Sequence, residues 1–300
     1  MPSRSDALHI GLVQMQMGDD PEANMARAED GVREAAKGGA EVVCLPELFR
    51  SRYFCQTEDP ALFALAEPIP GPSTERLAEL ARQLDVTLVA SLFEERAPGL
   101  YHNTAAVLDG ARGYVGKYRK MHIPDDPRYY EKYYFTPGDL GFKSFPTENG
   151  NLGVLICWDQ WYPEAARLTA LQGAEVLFYP TAIGWHPSEK ESHGEAQREA
   201  WITAQRAHAI ANGCFVVAVN RTGFEPDPTG ETEDDGILFW GSSFVAAPDG
   251  QFLARLPEDA EAVEVVRCER ARITELRHGW PFFRDRRIDA YEPITKRFAD

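Results

Sequence analysis

The sequence predicts an α/β fold with mixed sheets. Short apolar runs alternate with amphipathic helical stretches along most of the chain. Some runs are joined by tight turns, at Asp109-Gly110 and at Pro248-Asp249-Gly250, which makes their strands antiparallel. Others are separated by a helix, the connection that parallel strands require.

The elements follow in order. IGLVQMQ reads as a strand, and Asp20-Pro21 opens a helix by supplying a cap and a proline for its first turn. Gly38-Gly39 stops that helix. EVVCLPE is a buried strand. Ser73 and Thr74 are candidate caps for the helix ERLAELARQL, and VTLVASLFEE is the next strand. NTAAVLDG and YVGKYRK form a hairpin. The stretch from Met121 to Thr147 has no period, but its six Tyr and Phe residues before Phe145 predict an ordered, functional loop. Strands then return at NLGVLIC, EVLFYPT and CFVVAVN, separated by the helices PEAARLTALQGA and EAQREAWITAQRAHAIANG. WGSSFVAAPDGQFLARL is a second hairpin, and AVEVVRCER a further strand. No linker or repeat divides the 300 residues, so one domain is expected. Residues 270–300 form a distinct arm with eight Lys/Arg against five Asp/Glu, together with Trp280, Phe282 and Phe283. Such an arm is expected to cover its own domain or a sister subunit in a homo-oligomer.

Charge and cysteine usage narrow the function. The chain carries 31 Lys+Arg and 47 Asp+Glu, a net charge of −16. That balance repels phosphate backbones, so nucleic acid is not an expected partner, and it favours a cationic ligand. No apolar run approaches the roughly 18 residues of a membrane span, and MPSRSDALHI lacks the apolar core of a signal peptide. Five widely spaced cysteines do not form a disulfide framework, so a cytoplasmic location is expected. CxxC and HExxH motifs are absent, and neither a metal nor an organic cofactor is expected.

Three chemistry-bearing residues fall at strand ends, where α/β sheets present ligands. Glu47 ends EVVCLPE, Lys120 ends YVGKYRK and Cys157 ends NLGVLIC just before a helix. A buried glutamate can serve as a general base, a helix N-terminus lowers a thiol pKa, and a lysine stabilises a thiolate or an oxyanion. Taken singly, each also fits a bland role in packing or at the surface, and spacing alone does not bring them together.

The segments around them carry a resemblance. LPELF at Glu47, KYRKMHIP at Lys120 and LICWDQWYPEAAR at Cys157 resemble, in order and spacing, the three signature segments of the nitrilase superfamily. The resemblance runs from the first strand to FRDRR. It implies an α-β-β-α sandwich and a carbon–nitrogen hydrolase with a Glu-Lys-Cys triad. It also implies a second active-site glutamate at Glu131, in EKYYFTPGD. HIPDDPRYYEKYYFTPGDLGFK, CWDQWYPEAARL and FYPTAIG are further similar to the N-carbamoylputrescine amidase subgroup. That similarity implies release of putrescine, CO2 and ammonia from a small cationic carbamoyl-amine.

Relatives acting on N-carbamoyl amino acids hold the carboxylate with two arginines just after the cysteine; here Gln160 and Trp161 occupy those positions. Trp161 and Trp185 offer cation–π or apolar surface to an aliphatic amine. Trp158, Tyr130 and Thr181 complete the expected substrate contacts. Many members have Ser-Glu after TAIG, where this chain has Trp185-His186. A carboxylate for the distal amine is therefore sought among Glu189, Glu191 and Asp125. The alternatives are an amidase of ω-amidase or β-ureidopropionase type, or a silent scaffold that binds polyamines or a protein.

Overall fold

A computed structural model describes residues 5–229 and 235–299. The first third of the chain holds β1 (Ala7–Gln14), α1 (Pro21–Lys37), β2 (Val42–Cys44), α2 (Pro72–Leu84), β3 (Thr87–Ala97), β4 (Leu100–Asp109) and β5 (Gly113–Arg119). Then come α3 (Glu131–Tyr134), β6 (Ser144–Thr147), β7 (Gly150–Val154), α4 (Pro163–Leu171), β8 (Val176–Pro180), β9 (Gly184–Trp185) and α5 (Lys190–Asn212). The last third holds β10 (Phe215–Val219), β11 (Thr222–Pro226), β12 (Gly236–Trp240), β13 (Phe244–Ala246), β14 (Phe252–Arg255), β15 (Ala262–Glu269) and α6 (Ala271–Gly279).

These strands build two six-stranded sheets, ordered β15-β1-β2-β3-β4-β5 and β14-β13-β10-β8-β7-β6. Both are mixed. β1-β2-β3 and β7-β8-β10 pair in parallel, and the outer strands pair antiparallel. The two sheets face each other, and strand alternation decides which core each residue enters. Ile10, Leu12, Val42, Cys44 and Val107 join Val154, Val176, Phe178 and Val217 between the sheets. Val43, Leu88 and Leu108 turn the other way and pack with Met25 and Val32 of α1 and Leu77 and Leu80 of α2. Trp201, Ile202 and Ala209 of α5 and Ala165 and Ala166 of α4 cover the second sheet. The layering is α-β-β-α, as the resemblance implied.

Local signals mostly behave as read. Asp20 caps α1, its carboxylate accepting from the Glu22 N–H at 2.9 Å. The cap of α2 differs from expectation. Gly71 is the cap residue, and Thr74 sits inside the helix, its hydroxyl accepting from the Gly71 N–H at 2.8 Å. Ser73 donates instead to Glu67 at 2.9 Å. EVVCLPE pairs only over Val42–Cys44, because Pro46 cannot donate to a ladder and Leu48 takes φ +50°. The loop after Lys120 is ordered, containing α3 and β6; Phe54 and Phe93 pack edge-to-face against its Tyr134 and Phe135. A small third sheet, β11-β12-β9, was not expected. In the arm, α6 leads to Phe283, which lies under Arg167 and Arg277 with charge-to-ring distances of 5.1 and 4.7 Å. Trp280, Phe282, Ile288, Ile294 and Phe298 remain exposed. Among the described residues no helix is long and apolar enough to cross a membrane.

Candidate active site

The facing sheets bring three chain segments to one end of the sandwich. Glu47, just past β2, Lys120, just past β5, and Glu131, the first residue of α3, are all fully buried and in direct contact. The Lys120 ammonium donates to Glu47 Oε1 at 2.8 Å and to the Glu131 oxygens at 2.9 and 2.6 Å. Asn103 Nδ2 donates to the same Glu47 oxygen at 2.7 Å, and the Tyr53 hydroxyl donates to Glu131 Oε1 at 2.6 Å. Glu47 Oε2 is buried and has no hydrogen-bond partner among the described residues. A buried carboxylate oxygen left unpaired is costly, and it is the position from which a proton can be taken.

Backbone contacts hold the lysine. Its N–H donates to the Asn103 carbonyl at 2.9 Å, and its own carbonyl accepts from the Gly138 N–H at 2.8 Å. Position 138 admits only glycine, because a Cβ there would lie 2.0 Å from the Arg119 carbonyl oxygen.

Cys157 begins a tight 3₁₀ turn, Cys157–Trp161, at φ +40°. That conformation is unfavourable for a residue with a side chain and needs support from its surroundings. Asp159 provides it. Its carboxylate accepts from the Ile156 N–H at 3.0 Å, the Tyr118 hydroxyl at 2.8 Å and the His122 N–H at 3.1 Å. The thiol lies 3.8 Å from the Ala182 carbonyl oxygen, to which it donates a hydrogen bond.

The electrostatics depart from one expectation. Burial, then the Glu47 charge, pushes the Cys157 thiol well above its ordinary range, with Lys120 pulling the other way. The short turn after the cysteine does not offset this, so the resting sulfur is a thiol and needs a base. Burial alone would lower the Lys120 pKa, but Glu131 and Glu47 outweigh it and hold the ammonium firmly charged. Burial, against the Lys120 charge and reinforced by Glu47, pushes Glu131 up to about 7. Cys55 is also buried near this cluster, and its thiol is pushed up by burial and by Glu131.

Cys157 and Glu131 open onto a cavity of about 450 Å³. Of the expected substrate contacts, Trp158, Trp161 and Glu189 line it. Four others do not. Trp185 is buried, donates its indole N–H to the Gly194 carbonyl at 2.9 Å and packs on Trp240. Strand alternation in β9 explains this, since its neighbours Gly184 and His186 line the cavity instead. Tyr129 lines the cavity in place of Tyr130, and Asp126 in place of Asp125. Asp125 is exposed, 3.9 Å from the Lys132 ammonium. Thr181 is buried, its hydroxyl donating to the Tyr179 carbonyl at 2.9 Å, and Ala182 faces the cavity. Glu191 is exposed and does not line the cavity, and Gln160 is buried, accepting from the Trp201 indole at 2.8 Å. Among the described residues the lining contains Glu131, Asp126 and Glu189 but no lysine or arginine. Among the described residues no group of three or more His, Cys, Asp or Glu is placed to hold a metal ion.

Sequence reasoning passed over Asn103, Tyr53, Asp159 and Arg221. Asn103 was readable as a polar residue opening an apolar strand, and Arg221 as a charge directly following the buried run CFVVAVN. Tyr53 and Asp159 carry no local signal.

A layered α-β-β-α fold with this buried cluster belongs to a class of hydrolases that cleave carbon–nitrogen bonds outside peptides. The chain belongs to the carbon-nitrogen hydrolase family, the nitrilase superfamily, whose family model matches residues 9–278. It is 45% identical to an N-carbamoylputrescine amidase of Solanum lycopersicum over 295 residues, 98% of this chain and 97% of that protein. It is 37% identical to a citrullinase of Francisella tularensis over 292 residues, 97% of this chain and 99% of that one. Among solved structures, a carbon-nitrogen hydrolase from Helicobacter pylori G27 superposes with a TM-score of 0.94 at 45% identity, covering 98% of this chain and 100% of the other.

Proposed function

We propose that the protein hydrolyses N-carbamoylputrescine to putrescine, CO2 and ammonia, with Cys157 as nucleophile. The observation that carries the chemistry is the unpartnered, buried Oε2 of Glu47 in a site whose thiol is held neutral. Glu47 takes the thiol proton as sulfur attacks the ureido carbon. Lys120 and the Trp158 backbone N–H stabilise the developing oxyanion. For this the ammonium turns one N–H from Glu131, which it contacts through both oxygens, toward the substrate. Glu131 orients the ureido nitrogen. The C–NH2 bond breaks, Glu47 returns its proton to the leaving nitrogen, and ammonia departs from an N-substituted carbamoyl thioester. Glu47 then activates water to cleave the C–S bond. The thiol is restored, and the released carbamate loses CO2 to leave the amine.

The choice of substrate rests on the cavity lining. Away from the reacting carbon, a carboxylate-bearing substrate would meet Asp126 and Glu189 and, among the described lining residues, no lysine or arginine to pair with. A distal ammonium meets Asp126 or Glu189, with Trp158 and Trp161 along the methylene chain. Both the tomato relative's activity and the strongly acidic chain support this reading. The five buried, unpaired cysteines fit a reducing cytoplasm. The exposed aromatics of the arm fit assembly into a homo-oligomer. Ammonia release measured side by side tests the substrate. Turnover of N-carbamoylputrescine well above that of N-carbamoyl-β-alanine and citrulline is expected; preference for either acid overturns the assignment.

A further inference from the structure

Arg221 stands between β10 and β11 with its side chain fully buried, and all five of its guanidinium N–H groups are used. Nε and Nη2 donate to the Glu47 carbonyl at 3.1 and 2.9 Å, and Nη2 also to the Leu48 carbonyl at 2.7 Å. Nη1 donates to the Ser51 carbonyl at 3.0 Å and to Glu225 Oε1 at 2.9 Å. The other Glu225 oxygen accepts the Tyr53 N–H at 2.5 Å, and the Tyr53 hydroxyl reaches Glu131. One buried ion pair therefore grips the backbone of the first glutamate and, through Tyr53, the carboxylate of the second.

We propose that Arg221 and Glu225 are positioning residues for the reaction. They hold Glu47 and Glu131 at the separation that lets both share Lys120 while Glu47 Oε2 stays free. This rests on the assignment of those glutamates to the active site. The turn after Glu47 gathers three carbonyl oxygens and forces Leu48 to φ +50°. Convergent carbonyl dipoles repel unless a cation fills the space between them, and only a planar five-donor fork meets all of them together with a carboxylate. Lysine offers three donors from a single atom. It would keep the charge and lose the fork, freeing the Glu47 backbone to drift. A purely structural ion pair would have no need to contact the chain of one glutamate and the hydroxyl donor of the other.

The test compares Arg221→Lys and Glu225→Gln with wild type and with a Glu47→Gln control. The readouts are kcat and KM for N-carbamoylputrescine, the pH profile of kcat/KM, the pH dependence of Cys157 alkylation by iodoacetamide, and the melting transition. The expected result is a folded Arg221→Lys enzyme with kcat down on the order of 100-fold and KM within about twofold, its alkylation profile displaced along the pH axis. Glu225→Gln, which keeps the shape and one acceptor oxygen, is expected to move the same readouts in the same direction. Wild-type kcat, or a loss with unmoved pH profiles, overturns the proposal. If one variant fails to fold, the other decides. If both fail, the pair is assigned to stability alone and the proposal is overturned. An active Glu47→Gln control would instead overturn the reading of the site itself.

Discussion

Replacing Lys120 by methionine isolates the electrostatics of the site. The ammonium is 2.8 Å from one buried carboxylate and 2.6 Å from the other. At an effective dielectric of about 20, each contact is a gross attraction of about 6 kcal/mol. Desolvation cancels much of that, but removing one partner from a buried ionic group still costs about 3–5 kcal/mol, because the remaining charges are stranded. Two carboxylates left facing each other respond by keeping a proton. Glu131 already sits at about 7 with Lys120 present. Without the cation its pKa goes higher. The sign follows from proton counting. A carboxyl group whose folded pKa is raised binds more protons folded than unfolded, so its stabilisation is lost as pH rises through the folded pKa. In the wild type this loss is complete somewhat above pH 7. In Lys120→Met it continues upward, so the gap in stability widens by up to about 1.4 kcal/mol per pH unit above pH 7. Urea unfolding of both proteins at pH 6, 7, 8 and 9 measures this. A gap that is absent, or that does not change with pH, would refute the reasoning.

Other outcomes follow from the same geometry. Cys157→Ala should fold and lose all turnover, whereas Cys44→Ala and Cys214→Ala, which alter thiols outside the cavity, should retain it; steady-state ammonia release and a melting curve check both. Glu189→Gln should raise KM for N-carbamoylputrescine on the order of tenfold and leave a neutral N-alkylurea of equal length unchanged, with kcat/KM for the cationic substrate falling as salt rises. Equal effects on the two substrates would remove Glu189 from amine recognition. Deleting residues after Gly279 should lower the assembly's mass in light scattering, since it removes the exposed Phe282, Ile288, Ile294 and Phe298; an unchanged mass would show that the arm does not assemble the protein.

The layering was legible because it follows from local rules. Alternation in VVC sends Val42 and Cys44 to one core and Val43 to the other, and Asp20-Pro21 and Gly38 bound α1 as read. The signature segments pointed to Glu47, Lys120, Cys157 and Glu131, and the hydrogen bonds of Lys120 join three of the four in space. Cys157 shares a cavity with Glu131 and feels the charges of all three. The cavity wall was less legible, and for a definite reason. In Trp185-His186, Tyr129-Tyr130, Asp125-Asp126 and Thr181-Ala182, choosing the lining residue means knowing which way a single side chain points. A one-residue error then exchanges inside for outside. In the support around the site, Asn103 and Arg221 left a local signal, but their partners did not. Arg221 reaches Glu47 across 174 positions and Tyr118 reaches Asp159 across 41, separations over which the sequence carries no period.

The central claim is that Cys157 attacks the ureido carbon of N-carbamoylputrescine and that Glu47 is the base for that attack. Acid-quenching the wild type and Glu47→Gln during turnover of that substrate and measuring intact and peptide masses tests it most directly. A covalent adduct equal to the substrate less ammonia, mapped to the Cys157 peptide of the wild type and absent both from Glu47→Gln and with N-carbamoyl-β-alanine, is the expected result. No adduct in the wild type, an adduct on Cys55 or another thiol, an equal adduct in Glu47→Gln, or accumulation with N-carbamoyl-β-alanine instead would contradict it.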